Sequence, residues 1–86
     1  FVFGPSFGSD VISDFDANGN GTLTNQDLLN LSLYTPDITA ADIGTRLTIL
    51  AGGGNTVITI DGTQQITLLG VTGVGNNIIT QQDFLF

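Results

Sequence analysis

The sequence has no cysteine and no histidine, and its single basic residue, Arg46, stands against eight acidic residues. These absences exclude disulfides, zinc sites built from Cys and His, and Cys–His or Ser–His catalysis. The net charge of −7 argues against nucleic-acid binding, because nothing in the chain can neutralise phosphates. No apolar run approaches the roughly 20 residues of a membrane span. We therefore expect neither a nucleic-acid partner nor membrane insertion.

Apolar residues make up 41% of the chain, and glycine contributes 12 of its 86 residues. This composition predicts one folded domain, residues 1–86, rather than a disordered segment. The chain starts within an alternating apolar run and shows no classical signal peptide, so we interpret it as a piece of a larger protein. All eight acids are Asp, and no second polar group completes an acid–base pair. We expect no enzymatic activity.

Short alternating apolar runs dominate the second half of the chain, at residues 47–50, 57–60 and 66–69. Such runs are typical of strands with one buried face. Residues 52–55, Gly-Gly-Gly-Asn, predict a hairpin loop longer than two residues, and Asp61-Gly62 predicts a type I′ turn. Residues 1–15 read as strand, turn, strand. We predict an all-β fold, a small antiparallel β-sandwich or β-roll-like domain of about six strands.

Short helical turns are indicated where a Thr precedes an Asp by three residues. In this arrangement the two side chains can cap the first turn of a helix reciprocally. The three pairs are Thr24/Asp27, Thr39/Asp42 and Thr80/Asp83. We expect one or two short helical turns between residues 24 and 43, with residues 39–43 the best candidate. On the strands, Arg46 is expected to be solvated, with Asp61 as its partner across the hairpin.

The most specific motif is a stretch that has the spacing of a twelve-residue calcium loop. Its candidate ligands, at positions one, three, five, seven and twelve, are Asp16, Asn18, Asn20, the backbone carbonyl of Thr22, and Asp27. Gly21 stands at position six, where the loop must turn sharply. Only two of these side chains are charged, so we expect an affinity of roughly 10⁻⁴–10⁻³ M. The alternative is an ordinary Asx-rich turn that holds no ion.

Three further segments resemble parts of the C-terminal region of RTX (hemolysin-type calcium-binding) proteins and serralysin-like proteases. Residues 1–15 are similar to the Phe-x-Phe and Phe-Gly-x-Asp-x-Ile-x-Asp-Phe of that family's last repeat turn. Residues 55–71 look like its penultimate hairpin. The acid and three apolar residues at the end of the chain resemble the uncleaved C-terminal signal of type I secreted proteins; they are Asp83, Phe84, Leu85 and Phe86.

The resemblance implies a calcium-stabilised targeting and capping module of a secreted, extracellular protein. Its partner would be a type I secretion machinery with an ABC exporter. The family's calcium ligands would correspond to Asp10, Asp14 and Asp27, which gives a second calcium hypothesis that shares Asp27 with the first. The tandem Gly-rich repeats of the family are missing, and the loop that starts at Asp16 looks inserted and resembles an EF-hand or dockerin loop. We favour that loop because its spacing is complete.

A second class of function is a self-assembling structural module, such as a surface-layer, adhesin or filament subunit. Low charge, many Thr, Asn and Gln residues and apolar segments at both ends of the sequence favour this alternative. Self-association would then proceed through edge strands, with Phe1–Phe3 and the C-terminal strand as candidates. A dockerin-type interaction module is a third hypothesis, but it normally needs two calcium loops, and the sequence contains one.

Overall fold

The computed structural model describes residues 1–4, 7–15, 27–34, 37–75 and 77–86. In this part of the chain there are six strands. They are β1 (Ser9–Ile12), β2 (Leu29–Asn30), β3 (Leu47–Gly52), β4 (Asn55–Ile60), β5 (Gln64–Leu69) and β6 (Phe84–Leu85). Two short 3₁₀ helices, Ala40–Asp42 and Gln81–Asp83, are the other regular elements of this part. The prediction of an all-β fold is confirmed.

Four strands form the main sheet in the order β1-β5-β4-β3. The β3–β4 and β4–β5 pairs are antiparallel, as the alternating runs predicted. Strand β1 pairs with β5 in parallel, so the main sheet is mixed rather than purely antiparallel. Parallel neighbours need a long connection, and here the whole segment between residues 12 and 64 provides it. Local sequence patterns indicate hairpins and contain no signal for such a distant pairing.

Two tight turns join the three antiparallel strands. Strand β3 ends at Gly52 and β4 starts at Asn55, so only Gly53 and Gly54 form the first turn. The prediction of a longer loop was therefore wrong. Both glycines have positive φ, +63° and +85°, which two-residue type I′ turns require. In the second turn, φ is also positive at Asp61 and Gly62, and the N–H of Thr63 donates to the carbonyl of Ile60, as the type I′ signal predicted.

A second, smaller sheet brings the first and last residues of the sequence together. Strands β2 and β6 pair in parallel, and Val2 bridges Asn30 on the other side of β2, also in parallel. The backbone N–H of Phe3 donates to the carbonyl of Asn30 at 3.0 Å. The two segments that the sequence offered as open assembly edges are thus both paired to β2.

The two 3₁₀ helices start at Thr–Asp pairs that the sequence singled out. The backbone N–H groups of Thr39 and Thr80 donate to the carboxylates of Asp42 and Asp83, at 2.8 Å and 2.7 Å. The predicted helical turn at residues 39–43 is confirmed as a single 3₁₀ turn. Thr24 of the third pair lies outside the described residues.

The core joins the inner face of the main sheet to buried apolar residues from the segments outside it. Alternation places every second residue of β4 and β5 on this face, and burial of each such Ile or Leu contributes about 1.5–3 kcal/mol. Its fully buried apolar members are Ile58, Ile60, Ile66, Leu68, Leu29, Leu31, Leu47 and Val71. Among the described residues, no helix has the length and apolar character needed to span a membrane.

Candidate functional site

A groove of about 350 Å³ lies where the N-terminal segment passes β1. It is lined by residues 1–3 on one side and by residues 10–14 on the other. Asp10 is half-buried within β1, whereas Asp14 is exposed just after the strand ends. The fold therefore brings two of the predicted calcium ligands, Asp10 and Asp14, to the same groove.

Phe15 and Leu28, which flank the predicted calcium loop, both contact Phe1. Before the loop, the ring of Phe15 lies 5.9 Å from the ring of Phe1, measured between centroids. After the loop, the carbonyl of Leu28 accepts a hydrogen bond of 3.1 Å from the nitrogen of Phe1. Phe15 and Leu29 are both buried, so the described residues on each side of the predicted loop are anchored in the core. These two flanks thus lie near the same point of the domain.

The candidate ligands of the loop divide into two groups. Asp16, Asn18, Asn20 and Thr22 lie outside the described residues, whereas Asp27 is described and half-buried. Within the described ranges, no three acidic side chains are grouped closely enough to hold a metal ion. The set of Asp10, Asp14 and Asp27 implied by the RTX resemblance does not form such a group by itself.

The single base is bound at the turn between β4 and β5. Arg46 Nε and Nη2 each donate to a carboxylate oxygen of Asp61 at 2.8 Å, and Nη1 lies 3.7 Å from Asp42 Oδ2. The guanidinium lowers the pKa of Asp61 against the opposing effect of burial. Arg46 pairs with Asp61 as expected, but its side chain is only partly exposed and also donates to the Asp37 carbonyl.

Tyr34 joins this cluster without a signal in the sequence. Its ring is buried, and its hydroxyl donates to Asp61 Oδ2 at 3.1 Å. Burial raises the pKa of Tyr34, and the hydrogen bond to Asp61 adds to the rise. Tyr34 is the only tyrosine in the chain. Nothing in the sequence around it indicates a hydrogen-bond partner 27 positions away.

The four C-terminal residues are packed into the domain. Asp83 is fully buried and Phe84 nearly so, while Leu85 keeps 47% of its surface exposed. The carbonyl of Leu85 accepts a hydrogen bond of 2.7 Å from the N–H of Leu31. The rings of Phe84 and Phe86 stack at 5.7 Å, and Phe86 lines a second groove of about 320 Å³. The last strand therefore contributes directly to the core.

No protein-family model, curated protein or solved structure matches this chain. The candidate function therefore rests on the residues of the chain and on their geometry.

Proposed function

We propose that this chain is a calcium-stabilised extracellular module, and that the loop from Asp16 to Asp27 holds one calcium ion. The observation that supports the proposal is the convergence of the residues that flank the loop on Phe1, through Phe15 on one side and Leu28 on the other. A calcium loop needs its first and twelfth residues near one point, because both ligate the same ion. Neighbouring flanks that are anchored in the core favour such an arrangement.

The net negative charge of the chain gives a physical reason why the stability of its folded state would depend on calcium. The chain carries −7, and its only base is engaged with Asp61. Without an ion, the two carboxylates that this proposal assigns to the site, Asp16 and Asp27, would repel each other. A bound Ca²⁺ offsets this repulsion and stabilises the folded state, because the unfolded chain does not present an assembled site. Low calcium inside a cell then favours a loosely folded chain, and high calcium outside favours the folded domain.

We further propose that the module targets a larger protein to a type I exporter and caps that protein after export. The support is the resemblance to the C-terminal region of RTX proteins, in which the order of the segments agrees. A chain that stays loosely folded until it meets external calcium suits export by such a machinery. The function remains non-enzymatic in this proposal.

Calorimetric titration of the chelator-treated chain with calcium tests the ion site. We expect one ion per chain with a dissociation constant of roughly 10⁻⁴–10⁻³ M. Asp16→Ala should abolish binding, because it removes the ligand at position one. Asp37→Ala is the matched control, since it deletes an exposed carboxylate outside the loop and should leave binding unchanged. A folded chain that binds no calcium up to about 10 mM would contradict the proposal.

A separate variant distinguishes this loop from the alternative ligand set. Asp10→Ala removes a residue that belongs only to the RTX-like set, and the loop hypothesis predicts that binding persists. Loss of binding in Asp10→Ala together with normal binding in Asp16→Ala would assign the ion to the groove between β1 and the N-terminal segment.

Export is tested best at Leu85, because deletion of the last four residues would also remove buried core. Leu85→Ser changes the terminal apolar run at a side chain that is 47% exposed, and Leu33→Ser is the control at a site that is 60% exposed. We expect secretion of a fused passenger to fall strongly in Leu85→Ser and to stay normal in Leu33→Ser, with similar thermal stability in both. Normal secretion of both variants would leave the C-terminal strand with a purely structural role.

A further inference from the structure

The groove between residues 1–3 and β1 is bordered on its first side by an open strand edge. Asn30 of β2 accepts a hydrogen bond from the N–H of Phe3 and donates one to the carbonyl of Phe1. Backbone groups alternate in direction along a strand, so the N–H and C=O of Val2 point away from β2. Val2 lines the groove, and among the described residues none forms a hydrogen bond with these two groups.

Strand β1 presents a second open edge to the same groove. The N–H of Gln65 donates to the carbonyl of Gly8 at 2.9 Å, and with the parallel register this directs the backbone groups of Asp10 and Ile12 towards β5. Those of Val11 therefore point the other way, and Val11 lines the groove. Within the described ranges, β1 is the outermost strand of the main sheet. An open edge of this kind can pair with one more strand.

The two edges run in opposite directions. The ring of Phe1 lies against Phe15, beyond the end of β1, and the ring of Phe3 lies against Phe7, before its start. Residues 1–3 are therefore antiparallel to β1. An extended segment between them would be parallel to one edge and antiparallel to the other. The groove has a volume of about 350 Å³, which lies within the range of ligand sites, roughly 300–1,000 Å³.

The charge of the groove indicates which side chains such a segment would carry. Asp10 and Asp14 line the groove, and no ion pair joins either carboxylate to another described residue. The only basic side chain, Arg46, is engaged at the turn between β4 and β5, and the nitrogen of Phe1 donates to the carbonyl of Leu28. With a net charge of −7 on the chain, a basic segment is attracted both from a distance and at the groove.

Exposed apolar side chains favour a peptide over a small cation. Phe1, Val2 and Val11 line the groove, and they keep 50%, 62% and 63% of their surface exposed. A free amine or a metal ion would leave these side chains and both strand edges uncovered. An extended peptide with apolar residues beside a basic one would cover the side chains and pair with the edges.

We propose that the groove between residues 1–3 and β1 binds an extended peptide segment of a partner protein by strand addition, with a Lys or Arg of that segment beside Asp10 and Asp14. None of the groove residues belongs to the loop from 16 to 27 or to the last four residues. The inference rests on the proposed function in one respect, since it requires that calcium occupies that loop and leaves Asp10 and Asp14 free.

Fluorescence anisotropy with a labelled, terminally blocked peptide, Lys-Val-Thr-Val-Lys, tests the proposal at chain concentrations up to about 1 mM. The titration is made in millimolar calcium and repeated with chelator at equal ionic strength. We expect binding in both conditions. The peptide Glu-Val-Thr-Val-Glu should bind about tenfold more weakly or worse, because its charge is repelled. The Lys peptide with both Val nitrogens methylated should also bind more weakly, because it lacks donors for one strand edge.

Two pairs of variants locate the contact. Val11→Lys places a positive charge at the groove and should abolish binding of the Lys peptide. Leu50→Lys is its matched control, because the two residues are 63% and 65% exposed but lie on opposite edge strands of the main sheet. Asp14→Asn should weaken binding several-fold, whereas Asp37→Asn removes an exposed carboxylate outside the groove and should leave binding unchanged.

Several results would overturn the inference. Equal binding of the Lys and Glu peptides would remove the basic partner, and undiminished binding of the methylated peptide would exclude strand addition. Binding that is present with chelator but lost in millimolar calcium would assign Asp10 and Asp14 to an ion. No peptide binding up to about 1 mM, in a chain whose calcium binding is abolished by Asp16→Ala, would reject the peptide site and leave the calcium loop standing.

Discussion

A single basic residue organises one end of the domain. Arg46 binds both carboxylate oxygens of Asp61, and Tyr34 donates a hydrogen bond to the same carboxylate. Asp61 has positive φ, which is uncommon for a residue other than glycine, although Asp and Asn tolerate it best. The ion pair thus joins the turn between β4 and β5 to the chain just before β3.

This cluster predicts a specific dependence of stability on pH. Hydrogen bonding to Arg46 lowers the pKa of Asp61 in the folded state. The carboxylate therefore contributes stability above its unfolded pKa of about 3.9, and this contribution is lost as the pH falls through the lower folded value. Asp61→Asn keeps a residue suited to the turn but removes the titration. We expect the variant to be less stable than the natural chain near neutral pH, and the two to converge in acid.

Urea denaturation from about pH 7 to about pH 2 measures this difference. Asp37→Asn serves as the control, because it removes an exposed carboxylate that does not bind Arg46 through its side chain. A gap between Asp61→Asn and the natural chain that stays constant across the whole range would show that the ion pair does not titrate as argued.

At the scale of elements, three consecutive glycines at the end of β3 have different backbone roles. Gly53 and Gly54 have positive φ, whereas Gly52 does not, and a Cβ at any of the three would meet open space. Gly54→Ala should therefore cost about 1–2 kcal/mol of unfolding free energy, because an L-residue is strained there. Gly52→Ala, at the last residue of β3, should leave the unfolding free energy unchanged or raise it slightly. Thermal melting of both variants compares them, and equal losses would argue against backbone strain.

The two Thr–Asp caps offer a second matched pair of elements. Asp83 is fully buried, whereas the Asp42 side chain is 25% exposed. Removing a buried acceptor leaves the N–H of Thr80 without its partner and costs about 1–3 kcal/mol, while loss of an exposed cap costs about 0.5–2 kcal/mol. We expect Asp83→Ala to lower the urea midpoint more than Asp42→Ala. A larger loss of stability in Asp42→Ala than in Asp83→Ala would mean that burial does not determine how much each capping carboxylate stabilises the fold.

For the whole molecule, a net charge of −7 in 86 residues makes stability sensitive to cations. If one Ca²⁺ binds with the expected affinity, about 10 mM calcium should raise the unfolding free energy by about 1.4–2.7 kcal/mol. Sodium chloride at equal ionic strength is the control for simple charge screening. Asp16→Ala should respond equally to both salts, and an equal response of the natural chain would contradict specific binding.

Several features of this protein follow from the sequence alone. The alternation at residues 57–60 and 66–69 predicted β4 and β5, because period two is a local property of strands with one buried face. Asp61-Gly62 predicted the turn between β4 and β5. The pairs Thr39/Asp42 and Thr80/Asp83 predicted short capped helical turns. These signals are also local, because each involves residues at most three positions apart. The spacing from Asp16 to Asp27 is the basis of the calcium-loop hypothesis. All of these depend on residues that are close in the chain.

The tertiary structure decided how distant segments meet. The parallel pairing of β1 with β5, the use of β2 to join residues near Phe1 and Phe84, and the hydrogen bond from Tyr34 to Asp61 all connect residues more than 20 positions apart. Such contacts depend on how the whole chain packs around its core, and no pattern within a short stretch of sequence specifies them. The cross-strand row of Val11, Thr67, Val57 and Leu50 on the main sheet is of the same kind, because these residues become neighbours only after the strands are in register.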